Sequence, residues 1–406
     1  MKFLHCSDIH LGRRPVGGVG DFSRKRYDDY FSAFAWVIET AITQNVDLVI
    51  ISGDLFDRKE LIPEVLERTE TLLARLRDKA VPVLLTEGNH DNITPDKEDD
   101  SWIVYLQNKG LLQRPTYRHD DSGYNFNPIN IDGHQFYGVG YPGGLANETL
   151  QALAEHLAAQ PDGRNIILVH TAIAAGDFLP GTVDKETIDG LKDTALYIAG
   201  GHFHSYQVYP KNDPIFFIPG APEYWDLAEP AERKGVIIFD TETQEHRFVP
   251  SQPRKKTALA LKLQSENPED FTAEFAAAIA ALTPEHNEEI VFMKLLAAKP
   301  FYIDTTACEE LLVNKGALKA FVTVSYPGQA DTGSSAQQRM SVEEVEQEII
   351  AAWELFSLKA DETAHTLGKL KEYQKEGNRD QFLETFDGML ETVLNGEKSV
   401  SEDQQG

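Results

Sequence analysis

Apolar residues fall into two alternating rhythms along the first 240 positions of this chain. Short continuous runs occur as FLHCS (3–7), DLVIIS (47–52), PVLLTE (82–87), RNIILVH (164–170), ALYIAGG (195–201), IFFIPG (215–220) and GVIIFD (235–240). Their length and β-branched content predict strands covered on both faces. Between the first of them, Tyr30, Phe31, Phe34, Val37, Ile38 and Ile42 recur at helical spacing, as do Val65, Leu66, Leu72, Leu73 and Leu76. Strands and helices in this order predict an α/β fold built from βαβ units.

The rhythm changes at SQPRKKT (251–257), a polar segment that reads as a linker, with Arg254, Lys255 and Lys256 as solvated charges. Beyond it, TALALKLQ, FTAEFAAAIAAL, EIVFMKLLA, CEELLV and LKAFVTVSY predict a small α+β domain over 257–326. Small and polar residues at 327–341 read as a connector. Val342, Val345, Ile349, Trp353 and Phe356, then Phe382, Phe386, Met389 and Val393, predict a helical tail over 342–395. The first domain is expected to span 1–250.

Composition narrows the setting. A chain of 406 residues exceeds one ordinary core. Its net charge of -27 argues against coating nucleic acid with the whole surface and leaves room for a local basic groove. Cys6 and Cys308 are too few and too far apart for a disulfide framework, and Cys6 reads as a packed apolar side chain. No apolar stretch approaches the roughly 20 residues that cross a bilayer, and polar residues interrupt any leader-like core near Met1. No membrane association and a cytoplasmic location are the expectations.

Polar residues cluster where the strand-like runs end: SDIH, GDLFD, GNHD, VHT and GGHFH. Asp8 and His10 are two apart and share one side of an extended segment. Asp54, after Gly53 at a strand-end turn, suits a bridging carboxylate. Asn89 offers a neutral oxygen and leaves His90 free for proton transfer. His170 ends its strand, and His202 and His204 repeat the two-apart spacing. Hard oxygen and imidazole donors in such a set point to two divalent metals acting on a phosphoester. His5, His119, His134, His156, His246, His286 and His365 lack a surrounding motif and are assigned no chemistry.

As a set, DxH, GDxxD, GNHD, VH and GHxH resemble the calcineurin-like metallophosphoesterase superfamily over residues 1–240. RKRYDDYFSAF, the small second domain and the helical tail are similar in position and character to the SbcD-type nucleases of double-strand-break repair. The resemblance implies a metallophosphoesterase β-sandwich flanked by helices, a capping domain that binds DNA, and two metal ions, with Mn2+ foremost. The ligand types also accept iron, magnesium or zinc. It implies that Asp8, His10, Asp54 and His204 hold one ion, and Asp54, Asn89, His170 and His202 the other. His90 becomes the general acid for the departing 3′ oxygen, with Asp91 orienting its ring. Asp57 stands where these proteins carry histidine or aspartate, and its role as bystander or substrate-positioning residue stays open.

The implied substrate is DNA ends, cut as a 3′-to-5′ exonuclease and an endonuclease. Arg13, Arg14, Arg24, Lys25 and Arg26 are the candidate phosphate contacts, with Asp21, Asp28 and Asp29 as competing partners. From Ser341 onward, 16 acidic against 6 basic residues make nucleic acid a poor ligand for the tail. Its apolar stripes would instead dock on an SbcC-type coiled-coil ATPase, and homodimerisation through N-terminal helices is implied as well. Two rival readings remain: a nucleotide or small-molecule phosphodiesterase on the same fold, and a DNA-end-binding scaffold with a vestigial metal site.

Overall fold

The apolar runs become strands of two sheets packed face to face. The computed structural model describes residues 1–15, 20–91, 101–121, 123–159, 164–174, 181–280 and 288–326, with Lys369, Gln381 and Thr385. The connector predicted at 327–341 and the tail predicted at 342–395 lie outside the described residues, those three apart. The chain divides into two compact units: Met1–Leu296 with Phe301–Val322, and Ala297–Pro300 with Thr323–Gly406. Within the second, the Ala297 N–H donates to the Ser325 carbonyl at 3.0 Å.

In the first unit, β1 (Lys2–Cys6) leads through α1 (Gly20–Thr43) to β2 (Leu48–Ser52), then through α2 (Pro63–Arg77) to β3 (Val83–Thr86) and α3 (Trp102–Asn108). The hairpin of β4 (Thr116–Asp120) and β5 (Gly123–Asn127) is followed by β6 (Ile129–Ile131) and β7 (His134–Gly140). Next come α4 (Ala146–Ala158), β8 (Asn165–Val169), β9 (Ala172–Ile173), β10 (Thr182–Val183), α5 (Lys185–Asp189) and β11 (Ala195–Ala199). The core strands end with β12 (Gln207–Tyr209), β13 (Phe216–Ile218), β14 (Gly235–Asp240) and β15 (His246–Pro250).

One sheet has the order β15-β14-β1-β2-β3, the other β12-β13-β11-β8-β7-β6. The inner strands of each run parallel, and β14, β15, β12 and β6 add antiparallel edges. Between the sheets Phe3, Leu48, Ile50 and Leu84 meet Phe136, Ile166, Leu168, Tyr197 and Phe217. Alternate residues of β1 and β2, such as Leu4, Cys6, Val49 and Ile51, face the opposite way onto α1 and α2. On the second sheet, Ile167, Val169 and Ile198 pack against α4. The result is a helix–sheet–sheet–helix sandwich, and it explains why these strands are apolar without alternation: both faces are buried. Among α1 positions, Tyr30, Phe31, Phe34, Val37 and Ile38 are buried at the helical spacing read from the sequence. No helix of the described residues is long and apolar enough to cross a membrane.

Residues after 250 contribute β16 (Lys256–Lys262), α6 (Pro268–Ala280), β17 (Ile290–Leu296), α7 (Thr305–Asn314) and β18 (Lys319–Ser325), whose strands form a three-stranded sheet. Of the basic cluster at 254–256, Lys255 is 66% exposed beside Glu289, but Arg254 and Lys256 are not solvated charges. Arg254 donates to both Asp29 carboxylate oxygens and to the Glu288 carbonyl, and the Lys256 ammonium donates to the Leu227 and Glu229 carbonyls at 2.6 Å. Acceptors distant in sequence outcompete water here.

Candidate metal centre

Five strand ends of the two sheets converge on one place. Asp8 and His10 follow β1; Asp54 and Asp57 follow β2; Asn89, His90 and Asp91 follow β3; His170 follows β8; His202 and His204 follow β11. Open α/β sheets place ligands outside the carboxyl ends of their strands, and here two sheets do so together. The first two loops are zipped by backbone hydrogen bonds, Asp8 N–H to the Gly53 carbonyl, Ile9 and His10 N–H to that of Asp54, and Leu11 N–H to that of Leu55, at 2.8–3.1 Å.

Close approach is enforced by glycine. A Cβ on Gly53, at φ +92°, would lie 2.2 Å from His170 Nδ1. Four of the ten described non-glycine residues with positive φ are Asp8, His10, Asp54 and His202. Aspartate and histidine tolerate this region better than most residues, yet it still costs energy and clusters at functional sites.

All seven predicted ligands are brought together. Asp54 Oδ2 lies 3.2 Å from His170 Nε2 and 3.7 Å from His10 Nε2, so its carboxylate stands between the two halves of the cluster. His10 Nε2 is 3.4 Å from His204 Nε2, which is 3.9 Å from Asp8 Oδ1. On the other side, Asn89 Oδ1 is 3.2 Å from His202 Nδ1, and the His170 and His202 rings are 5.3 Å apart. The triads Asp8–His10–His204 and Asp8–Asp54–His170 each place three donor atoms within 4.8 Å of one another.

These atoms satisfy one another only in part. His170 Nδ1 lies 2.8 Å from the Ser52 carbonyl, which can only accept, so Nδ1 carries a proton and Nε2 is the nitrogen turned toward Asp54. His170 Nε2 and His10 Nδ1 are buried without a hydrogen-bond partner. Burial pulls the His170 imidazole down, but the adjacent Asp54 charge overrides it and raises it to about 9, so positive charge at Nε2 is favoured. Burial would raise Asp54, yet His170, His10 and His90 hold its carboxyl well below the usual range. Lone pairs and carboxylates crowded out of water call for a cation, and the donor types fit divalent metals.

His90 stands apart from that crowd. Its Nδ1 donates to the Asp57 carbonyl at 2.8 Å, and its ring meets His10 edge-on at 4.8 Å. Asp91 does not orient it. The buried Asp91 carboxylate accepts from the N–H groups of Leu55, Phe56 and Gly88 at 2.9–3.2 Å, tying the second and third ligand loops together. Burial and the Asp54 charge push its carboxyl up to about 7 against those donors. Asp57 is no bystander: Oδ1 takes Arg13 at 3.1 Å and lies 3.5 Å from His10 Nδ1. Burial opposes ionisation of Asp57, but His10 and Arg13 hold it below its ordinary value.

The candidate DNA contacts separate. Arg26 is 2% exposed and donates to Asp29, Glu223 and the Tyr224 carbonyl, so it is a core ion pair and not a phosphate contact. Arg13 lies 3.7 Å over the Trp225 ring beside the cluster, and Arg14 4.3 Å over Tyr27. Arg24 pairs with Asp21 and Lys25 with Glu288, both toward solvent. Acidic side chains therefore hold four of the five: Arg13 through Asp57, Arg24 through Asp21, Lys25 through Glu288, and Arg26 through Asp29 and Glu223.

Two groups had no motif to announce them. Beneath the cluster His5 Nδ1 faces the Tyr197 hydroxyl at 2.9 Å, Nε2 faces Ser52 Oγ at 2.7 Å, and Ser52 donates to the Gly200 carbonyl. Above it, Glu229 Oε1 meets His204 Nδ1 at 2.8 Å. A carboxylate five residues before a lysine is not a signal that sequence periodicity or spacing could single out.

Residues 1–206 match the model of the calcineurin-like phosphoesterase family. The chain is 29% identical over 248 residues to the DNA double-strand break repair protein Mre11 of Aeropyrum pernix, covering 56% of this chain and 58% of that protein. It is 26% identical over 328 residues to the Mre11 protein of Methanosarcina mazei, covering 78% and 49%. The chain thus spans about half the length of the curated relatives it matches. Among solved structures, a dimetal phosphatase from Danio rerio is similar at a TM-score of 0.39 and 12% identity, over 58% of this chain and 91% of that one. With its matched segment running through all five ligand loops, the chain belongs to the calcineurin-like phosphoesterase family.

Proposed function

We propose that this protein is a DNA nuclease dependent on two divalent ions, with 3′-to-5′ exonuclease and endonuclease action on DNA ends. The observation that carries the reading is the convergence of seven donor side chains from five strand ends, with His10 Nδ1 and His170 Nε2 buried without hydrogen-bond partners. Asp8, His10, Asp54 and His204 would hold one ion, and Asp54, Asn89, His170 and His202 the other, with Mn2+ as the metal. Bound there, the ions supply nucleophile activation near neutral pH and neutralise charge on the phosphoryl oxygens.

The protein's own groups do the rest. Asp54 sits between both halves and holds the His90 N–H through Oδ1 at 2.9 Å. With Nδ1 committed to the Asp57 carbonyl, His90 keeps Nε2 as the atom that hands a proton to the departing 3′ oxygen. Arg13 fixes Asp57, and so the carbonyl that aims the ring. DNA as substrate is supported by the names of the curated relatives and by the exposed Arg14, with Arg24 and Lys25 able to exchange Asp21 and Glu288 for phosphate oxygens. Docking of 342–395 on an SbcC-type ATPase and homodimerisation belong to the same reading and follow from the family resemblance.

Wild type and His90→Ser, supplied with Mn2+, end-labelled duplex, single-stranded oligonucleotide and cyclic nucleotides, test it. The wild type should cut DNA, and the variant should bind DNA with hydrolysis reduced about 10²–10⁴-fold. Turnover of cyclic nucleotides with inert DNA would move the protein to small-molecule phosphodiesters. Binding without hydrolysis in either protein would make it a scaffold.

A further inference from the structure

The segment between β13 and β14 supplies none of the seven predicted ligands, yet it grips one of them from outside. Glu229 Oε1 lies 2.8 Å from His204 Nδ1. An ionised carboxylate only accepts, so Nδ1 carries the proton and Nε2 is left with its lone pair. That lone pair is on the side of the ring where His10 Nε2 lies at 3.4 Å and Asp8 Oδ1 at 3.9 Å. Glu229 Oε2 is occupied as well, by the Trp225 N–H at 3.1 Å and the Lys234 ammonium at 2.5 Å. Lys234, fully buried, also donates to the His204 carbonyl at 2.7 Å. The two charged residues therefore hold both ends of one histidine, its ring and its backbone.

A loop staple would not need this arrangement. Taking a carboxylate and an ammonium out of water is costly before their attraction returns it, and apolar side chains often stabilise a loop as well. What apolar groups cannot do is select a tautomer. We propose that Glu229, anchored by Lys234, is a positioning residue that keeps His204 with Nε2 unprotonated and directed at Asp8 and His10, and so sets the affinity of the ion position His204 serves. A carboxylate on the far nitrogen also makes the ligating nitrogen a better donor. The inference rests on the two-ion reading of the centre and is independent of DNA as substrate.

The test uses the full chain without nucleic acid. Wild type, Glu229→Ala and Glu229→Gln are stripped with chelator and titrated with Mn2+ by calorimetry, with bound metal counted by elemental analysis. Histidine 15N spectra of the metal-free proteins report the His204 tautomer. Wild type should bind two ions and show His204 protonated on Nδ1. Glu229→Ala should lose that tautomer preference and weaken one ion position about 10–100-fold, leaving the other nearly unchanged. Glu229→Gln keeps an acceptor oxygen and should fall between them. At saturating Mn2+ the Ala variant should recover most of its turnover, a defect in metal affinity and not in kcat.

Unchanged affinity at both positions, with only thermal stability lowered, would overturn the proposal and make Glu229 a staple. If Glu229→Ala does not fold, Glu229→Gln decides: one weakened position at wild-type thermal stability supports it, and wild-type affinity sinks it. Two ions held in a Glu229-dependent way by a protein that leaves DNA intact would refute the nuclease reading alone.

Discussion

His5 lies under the metal cluster and gives the fold a calculable sensitivity to acid. The chain of bonds around it has one direction. The Gly200 carbonyl can only accept, so Ser52 donates to it, and Ser52 Oγ must accept from His5 Nε2–H. His5 Nδ1 then accepts from the Tyr197 hydroxyl. A proton added to Nδ1 would break that chain inside a site from which water is excluded. Burial accordingly pushes the His5 imidazole down from 6.5 to about 3. Between those two values the unfolded chain binds a proton that the native state refuses, so stability falls as pH falls, by about 1.4 kcal/mol per pH unit. From pH 8 to pH 5 the loss accumulates to about 2 kcal/mol. Urea unfolding of wild type and His5→Gln at both pH values, each in chelator, isolates this residue because the ligand carboxylates are common to the two proteins. The Gln variant should be less stable at pH 8 and close most of that gap at pH 5. Parallel losses in the two proteins would mean that His5 already takes up its proton in the native state, and the reasoning from burial would be wrong.

Two further substitutions probe the centre and its surroundings. Arg26→Met leaves Glu223 buried without its charge partner and should cost about 3–5 kcal/mol in urea unfolding, while the salt dependence of DNA binding stays as in wild type; a slope reduced by about one, with stability intact, would return Arg26 to the phosphate contacts. Gly53→Ala drives a methyl to 2.2 Å from His170 Nδ1 at φ +92°, and should cost about 1–3 kcal/mol or more and lower Mn2+ stoichiometry; wild-type stability with two bound ions would show that the loops are not as tightly fitted as the distances say.

The strand runs and the polar residues that end them were legible because both are local. A fully buried strand must be apolar throughout, and a residue after it must be polar to serve a site, so DLVIIS–GD and PVLLTE–GNHD announce themselves within ten residues. How those strands pair was not legible. β1 joins β2 and β14, while β8 joins β7 and β11, and nothing in five consecutive apolar residues says which sheet they enter. The same distinction separates the polar residues. His202 and His204 are recognisable by their spacing, whereas Glu229 acquires its role only because the fold lays it against His204. Arg26 was misassigned for a related reason. Its basic neighbours are visible in the sequence, but the acid that buries it, Glu223, is 197 residues away. Asp91 follows His90 directly, and that adjacency misleads, since consecutive residues of an irregular loop need not point together. Its carboxylate turns instead to three backbone donors.

That turn of Asp91 bears on how the centre survives its own strain. Asp8, His10, Asp54 and His202 sit in the left-handed region, at roughly 1 kcal/mol or more apiece, and the Asp54 and Asp8 carboxylates are packed among imidazole lone pairs. Such a backbone persists only where surrounding bonds over-determine it. They do: Asp91 clamps the second and third loops, the Gly53 and Asp54 carbonyls hold the first, and the Ser52 carbonyl holds His170. None of these restraints uses a ligand atom of Asp8, Asn89 or His202 on the side facing the cluster's interior. The scaffold therefore fixes the donors before any ion arrives. A centre built this way should gain stability on metal binding while changing shape little, in contrast to small metal-folded domains whose ligands assemble around the ion.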